Sequence, residues 1–202
     1  YKAILTKWFR SEDESFHADT SLQELPRMLT RNGFMKAEVP SGLMSALREF
    51  HQSDSREYED EHVPDFIPKS ADDAVTTRML ELPHALRELL HAELQPLVEA
   101  WAGDYLVPTY VYGIREYLRG SILKMHRDRV ETHIASVILN VDQQGVRTPW
   151  SLFMHDHQFR THAVLLEPGE MLFYEGARLL HGRSEPFDGE RYANVFVHYK
   201  CL

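Results

Sequence analysis

The chain is poor in cysteine: Cys201 stands alone, which excludes an intrachain disulfide. A single thiol fits a reducing compartment, so a cytoplasmic location is the default expectation. Positive charge is also short, with 22 Lys and Arg against 31 Asp and Glu and a formal net charge of −9. Such a surface repels a phosphate backbone, and nucleic acid is not expected as a partner. No segment approaches the ~18 consecutive apolar residues of a membrane span, so no membrane partner is expected either. With 43% hydrophobic and 26% charged residues, the composition is that of an ordinary soluble domain. A length of 202 residues allows one catalytic unit with a flank, and nothing in it sets the oligomeric state. What the chain does have in excess is histidine, with 12 residues, and metal chemistry is the first reason to look at their spacing.

Hydrophobic periodicity divides the chain in two. Leu22, Leu25, Met28 and Leu29 recur at helical spacing, which predicts a helix over 21–31 ended by Asn32-Gly33. A strand is expected over 34–39, and Ser41 is the candidate N-cap of a second helix through Leu43, Leu47 and Phe50. Residues 52–75 are rich in Asp, Glu, Ser and Pro and read as an exposed connection, with a lid as the alternative. From Leu82 to Trp101 the three-and-four spacing returns, with Pro96 placed to kink or divide the helix. After Gly103 the period becomes that of strands, near 107–117, 121–127, 134–141, 150–155, 161–166, 170–174, 178–183 and 191–198. The expected fold is α+β, mainly β: a double-stranded β-helix, or jelly roll, over 106–202, supported by a flank over 1–105 whose helices pack on the larger sheet.

His126-Arg127-Asp128 ends one predicted strand, and residues two apart on a strand face the same side. His126 and Asp128 can therefore chelate one ion. His181, at the end of the seventh predicted strand, is the candidate third ligand. Two imidazoles and one carboxylate on one face of an octahedron form the set used by non-haem Fe(II) oxygenases. Arg191 follows ten residues later, beyond the turn Asp188-Gly189, and a guanidinium pairs a carboxylate with two parallel hydrogen bonds.

On these residues the stretch from about Tyr110 to Tyr199 resembles the prolyl 4-hydroxylase branch of the 2-oxoglutarate dioxygenase superfamily. Tyr117 and Gly120 followed by His126 and Asp128 resemble its Tyr-x-x-Gly and His-x-Asp motifs. His181, Gly189 and Arg191 resemble its distal histidine, turn glycine and co-substrate anchor. The resemblance implies Fe(II), with 2-oxoglutarate and O2 as co-substrates, ascorbate as a candidate reductant, and hydroxylation of an unactivated C–H bond with release of succinate and CO2. It implies that Arg191 holds the distal carboxylate of 2-oxoglutarate, that Tyr117 reaches into the same pocket, and that Asn140 lines it beside Ile138. A prolyl residue of a peptide or protein is the implied substrate, with free proline or another small molecule as the alternative. Candidate substrate contacts are Arg115, Trp150, Tyr174 and Arg178. Collagen-type members carry Lys where Arg191 stands, which leaves the subfamily open.

Other readings use the same residues. His155, His157 and His162 offer a second metal cluster, while His133 and His198 read as structural. A zinc hydrolase uses two His and a carboxylate too, but gives Arg191 no task. His126-Arg127-Asp128 mimics a kinase catalytic loop, yet no Gly-rich nucleotide loop or Asp-Phe-Gly accompanies it. A cupin-like metal-binding sensor without turnover is the reading from another class.

Overall fold

The computed structural model describes residues 25–53, 57–70 and 73–202. Two antiparallel sheets face each other. The larger takes in β1 (Phe34–Glu38), β2 (Tyr58–Asp60), β3 (Thr77–Leu80), β4 (Leu106–Leu118), β6 (Ala135–Gln144), β9 (Glu170–Tyr174) and β11 (Arg191–Cys201), in the order β1-β9-β6-β11-β4-β3-β2. The smaller holds β5 (Leu123–His126), β10 (His181–Arg183), β7 (Leu152–His155) and β8 (Thr161–Val164), in the order β5-β10-β7-β8. This is the jelly roll, and all eight strands expected after Gly103 form. The flank contributes more than helices, because β1 pairs with β9 and β3 with β4, so it extends the larger sheet at both edges.

Alternation along the central strands separates two cores. Val137, Leu139, Val141, Val195 and Val197 pack outward against α1 (Ser41–Gln52) and α2 (His84–Ala102). Ile138, Leu172, Tyr174, Tyr192 and Phe196 face inward, against Leu123, Leu152 and Met154 of the smaller sheet. The helices bury one stripe each, Leu43, Met44, Leu47 and His51 on α1 and Leu90, Leu94, Val98 and Ala102 on α2. Pro96 leaves α2 continuous, and Gly103 ends it at φ 66°, a left-handed conformation that costs glycine little. No described helix is long and apolar enough to cross a membrane.

Three local expectations fail for physical reasons. Residues 25–31 are not helical; the part of that expected helix before residue 25 lies outside the described residues. Pro26 interrupts the run, and Thr30 commits both its N–H and its hydroxyl to Glu175, at 2.9 and 3.0 Å. Pro40 rather than Ser41 is the N-cap of α1, and no side chain caps it. The connection over 52–75 holds β2, which pairs with β3 through Tyr58↔Leu80, Glu59↔Met79 and Asp60↔Arg78.

Glu116 ties these layers together from the outward face of β4. It is fully buried and meets His51 of α1 at 2.7 Å, Tyr58 of β2 at 2.9 Å and Arg78 of β3 at 2.7 Å. Burial opposes its charge, but the hydrogen bonds from His51, Arg78 and Tyr58 win and hold its carboxyl down at about 2. A carboxylate held below its ordinary value of 4.5 stabilises the fold above that value, and the contribution is lost as pH falls from 4.5 towards 2. Glu116→Ala should therefore destabilise the fold by about 3 kcal/mol at pH 7, because it strands buried partners. Urea unfolding from pH 7 to pH 3 checks this: the wild type should lose stability faster than the variant, so that the gap between them narrows.

Candidate metal centre

Strand pairing assembles the ligands. β10 lies between β5 and β7, and His181 stands directly opposite His126 in the register with β5. Asp128 follows just after β5, its N–H bonded to the Gly176 carbonyl at 3.0 Å. One ligand atom from each of His126, Asp128 and His181 lies within 4.8 Å of the others, and among the described residues no other group of three or more His, Cys, Asp or Glu is so arranged.

The tautomers suit metal binding. His126 Nδ1 donates to the Lys124 carbonyl and His181 Nδ1 to the Leu179 carbonyl, each at 2.8 Å. A carbonyl only accepts, so in the neutral rings Nε2 carries the lone pair. Both Nε2 atoms face Asp128 Oδ1, at 3.5 Å from His126 and 3.7 Å from His181. The other carboxylate oxygen is engaged elsewhere: Tyr174 donates to Oδ2 at 3.3 Å and Ser136 at 3.5 Å. Asp128 thus presents one free oxygen to the centre. Gly176 makes room for this, since a Cβ there would sit 2.2 Å from Oδ2.

The protonation states suit a cation as well. Burial pushes the His181 imidazole down to about 4, only partly offset by Asp128. Burial alone would raise Asp128, yet His181 and His126 hold its carboxyl well below the usual range. Burial and the neighbouring Asp128 push the Tyr174 phenol far up, which keeps it a donor. The neutral His181 imidazole beside the ionised Asp128 carboxylate presents a lone pair and a negative oxygen to a divalent ion with no proton to remove. The residues fit the metal that the resemblance implies.

The cavity over these ligands is lined by Tyr117, Leu123, Ile138, Leu152, Tyr174, Arg183, Asn194 and Phe196, and closed by Glu61, Val63, Phe66 and Ile67. The last four belong to the segment expected to be a solvated connection. Its apolar residues are the reason it folds inward: Val63, Phe66 and Ile67 form one turn, and the Phe66 ring lies 4.9 Å from His126. Their spacing of three and four was the available signal.

Several expected site residues lie elsewhere. Arg191 is on the outward face of β11, where it meets Asp142 at 2.5 Å and Glu116 at 3.6 Å, and it does not line the cavity. Alternation along β11 turns Tyr192 inward and Arg191 away from the cavity. Asn140 is sealed in the sheet, donating to Asn194 Oδ1 at 2.8 Å and Ala193 O at 3.2 Å. Arg178 turns outward to His157 and the Pro26 carbonyl. Trp150 stands behind the cavity wall, its ring 5.0 Å from Tyr117 and its Nε1 bonded to Glu185 O at 2.6 Å. Arg115 and Tyr174 do line the cavity, Arg115 gripping Glu61 at 2.5 and 2.6 Å. The second histidine cluster does not assemble: Asp156 takes Arg160 and His162, at 2.7 and 2.9 Å, while His157 turns to Glu175 at 3.2 Å. His133 and His198 stack at 3.8 Å and both reach the cavity wall. Sequence reasoning missed Arg183, although it stands two residues after His181 and so shares its face of the strand.

No protein-family model and no curated protein matches the chain. Solved structures do. A Pseudomonas putida prolyl-4-hydroxylase superposes with a TM-score of 0.60 at 12% identity, over 86% of this chain and 95% of the other. HygX from Streptomyces hygroscopicus, with nickel and 2-oxoglutarate bound, gives 0.61 at 14% identity, over 85% and 84%. A Trichoplax adhaerens prolyl hydroxylase, in complex with a hypoxia inducible factor peptide fragment, gives 0.58 at 10% identity, over 86% of both chains. The fold is the one these oxygenases share.

If the Tyr174 hydroxyl orients Asp128, Tyr174→Phe should weaken Fe(II) binding by about tenfold without changing its stoichiometry. A metal titration by calorimetry measures both, and His181→Ala should bind no stoichiometric ion.

Proposed function

We propose that the chain is an Fe(II)- and 2-oxoglutarate-dependent oxygenase that hydroxylates an unactivated C–H bond. The observation that carries this is the facial set itself: two imidazole Nε2 atoms and one carboxylate oxygen converging on one point inside a mostly apolar jelly-roll cavity. His126, Asp128 and His181 would hold the iron. With it and 2-oxoglutarate bound, the chemistry supplied is the conversion of O2, 2-oxoglutarate and R–H into R–OH, succinate and CO2.

The rest is the work of the chain's own residues. The Lys124 and Leu179 carbonyls fix the two imidazoles, while Tyr174 and Ser136 hold Asp128 so that one oxygen remains for the metal. Leu123, Ile138, Leu152 and Phe196 keep the cavity poor in water, and Phe66 covers it beside His126.

For the substrate, a prolyl residue of a peptide or protein is the reading supported by the sequence resemblance and by the two prolyl hydroxylases among the similar folds. A small molecule is the second reading. It is favoured by segment 61–67, which lies across the cavity and is clasped by Glu61 to Arg115, narrowing the approach for a folded chain.

Adding 2-oxoglutarate to the Fe(II)-loaded protein without oxygen should produce a weak charge-transfer band in the visible range. Admitting oxygen should then yield succinate slowly, even with no substrate present. Bound iron with neither band nor succinate would remove the oxygenase reading and leave a hydrolase or a non-catalytic metal module.

A further inference from the structure

We infer that Arg183, and not Arg191, is the residue that anchors the distal carboxylate of the 2-oxo dicarboxylate. The inference rests on the co-substrate reading above.

Arg183 is 1% exposed, on the cavity side of β10 two residues from the ligand His181. Its guanidinium is packed between two rings, 4.5 Å from the centre of Trp150 and 4.7 Å from that of Tyr192. Nη1 donates to the Trp150 carbonyl. Nη2 is buried with no hydrogen-bond partner, and among the described residues no carboxylate lies within ion-pair distance of Arg183. A sealed cation with an idle donor is costly on its own, and a carboxylate brought by a ligand removes that cost. Gly182 lets β5 lie close against β10, since a Cβ there would lie 2.7 Å from the Leu123 carbonyl.

Of the other cations, Arg129 lies exposed at the rim of the cavity, and the rest are engaged or turned away. Arg115 is held by both oxygens of Glu61. Arg127 donates its Nε to the Arg178 carbonyl at 2.9 Å. Arg191 sits on the other face of the sheet, between Asp142 and Glu116. The spacing also agrees with the chemistry. Two residues of strand advance roughly 7 Å, a length suited to a five-carbon acid whose keto end meets the metal at His181 and whose far carboxylate meets Arg183. Tyr117, stacked edge-on against Trp150 at 5.0 Å, adds a phenol to the same end of the cavity.

The test compares two keto acids on the Ni(II)-loaded protein by calorimetry: 2-oxoglutarate, and 2-oxobutanoate, which has the same chelating head but no distal carboxylate. The wild type should prefer 2-oxoglutarate by on the order of 100-fold. Arg183→Met should abolish the preference while leaving 2-oxobutanoate affinity and metal stoichiometry unchanged, and Arg183→Lys should retain part of it. Arg191→Gln should keep the full preference. A preference retained in Arg183→Met, or lost in Arg191→Gln, overturns the assignment. Should Arg183→Met not fold, an undiminished preference in Arg183→Lys, or a loss in Arg191→Gln, would overturn it equally. A wild type that binds neither acid would instead defeat the co-substrate reading itself.

Discussion

The centre depends on one constraint: a side chain on a strand must face one side of the sheet or the other. β10 is only three residues long, yet it is clamped between β5 and β7, and this places His181 across from His126 with both rings turned into the barrel. Carbonyls of Lys124 and Leu179 then set the tautomers, and Tyr174 and Gly176 shape the space around Asp128. The same alternation carries Arg183 inward beside His181. A metal set at one end and a desolvated guanidinium at the other follow from a single short strand.

The facing rule also explains what the sequence could and could not disclose. His-x-Asp spacing and the strand period made the clustering of His126, Asp128 and His181 and the jelly roll legible, because both depend on local alternation. The expectation for Arg191 rests on its distance from His181 and on the family pattern, and distance along a chain does not say which face a residue takes on a different strand. β11 shifts register against β6 between Ala193 and Asn194, and Tyr192, Asn194, Phe196 and His198 face inward. One residue of difference exchanges the two faces completely. Arg183 needed no such guess, since it shares a strand with a ligand.

The flank shows the other kind of illegibility. β2 and β3 are short, and β2 shows little apolar character; what holds it in place is Glu116, thirty or more residues away, through Tyr58 and Arg78. Window-based reading has no access to such a long-range polar hub. The segment over Val63, Phe66 and Ile67 was hidden by the acidic and proline-rich residues around it, although its three apolar residues carried a helical spacing. Both cases show tertiary partners overriding local composition.

In the proposed reading, the metal set and the buried arginine are two ends of one site. Titrating 2-oxoglutarate into metal-free and Ni(II)-loaded protein addresses it most directly. One molecule per chain should bind, at least about tenfold more tightly when the metal is present. Equal affinity with and without metal would contradict it, by placing the dicarboxylate away from His126, Asp128 and His181.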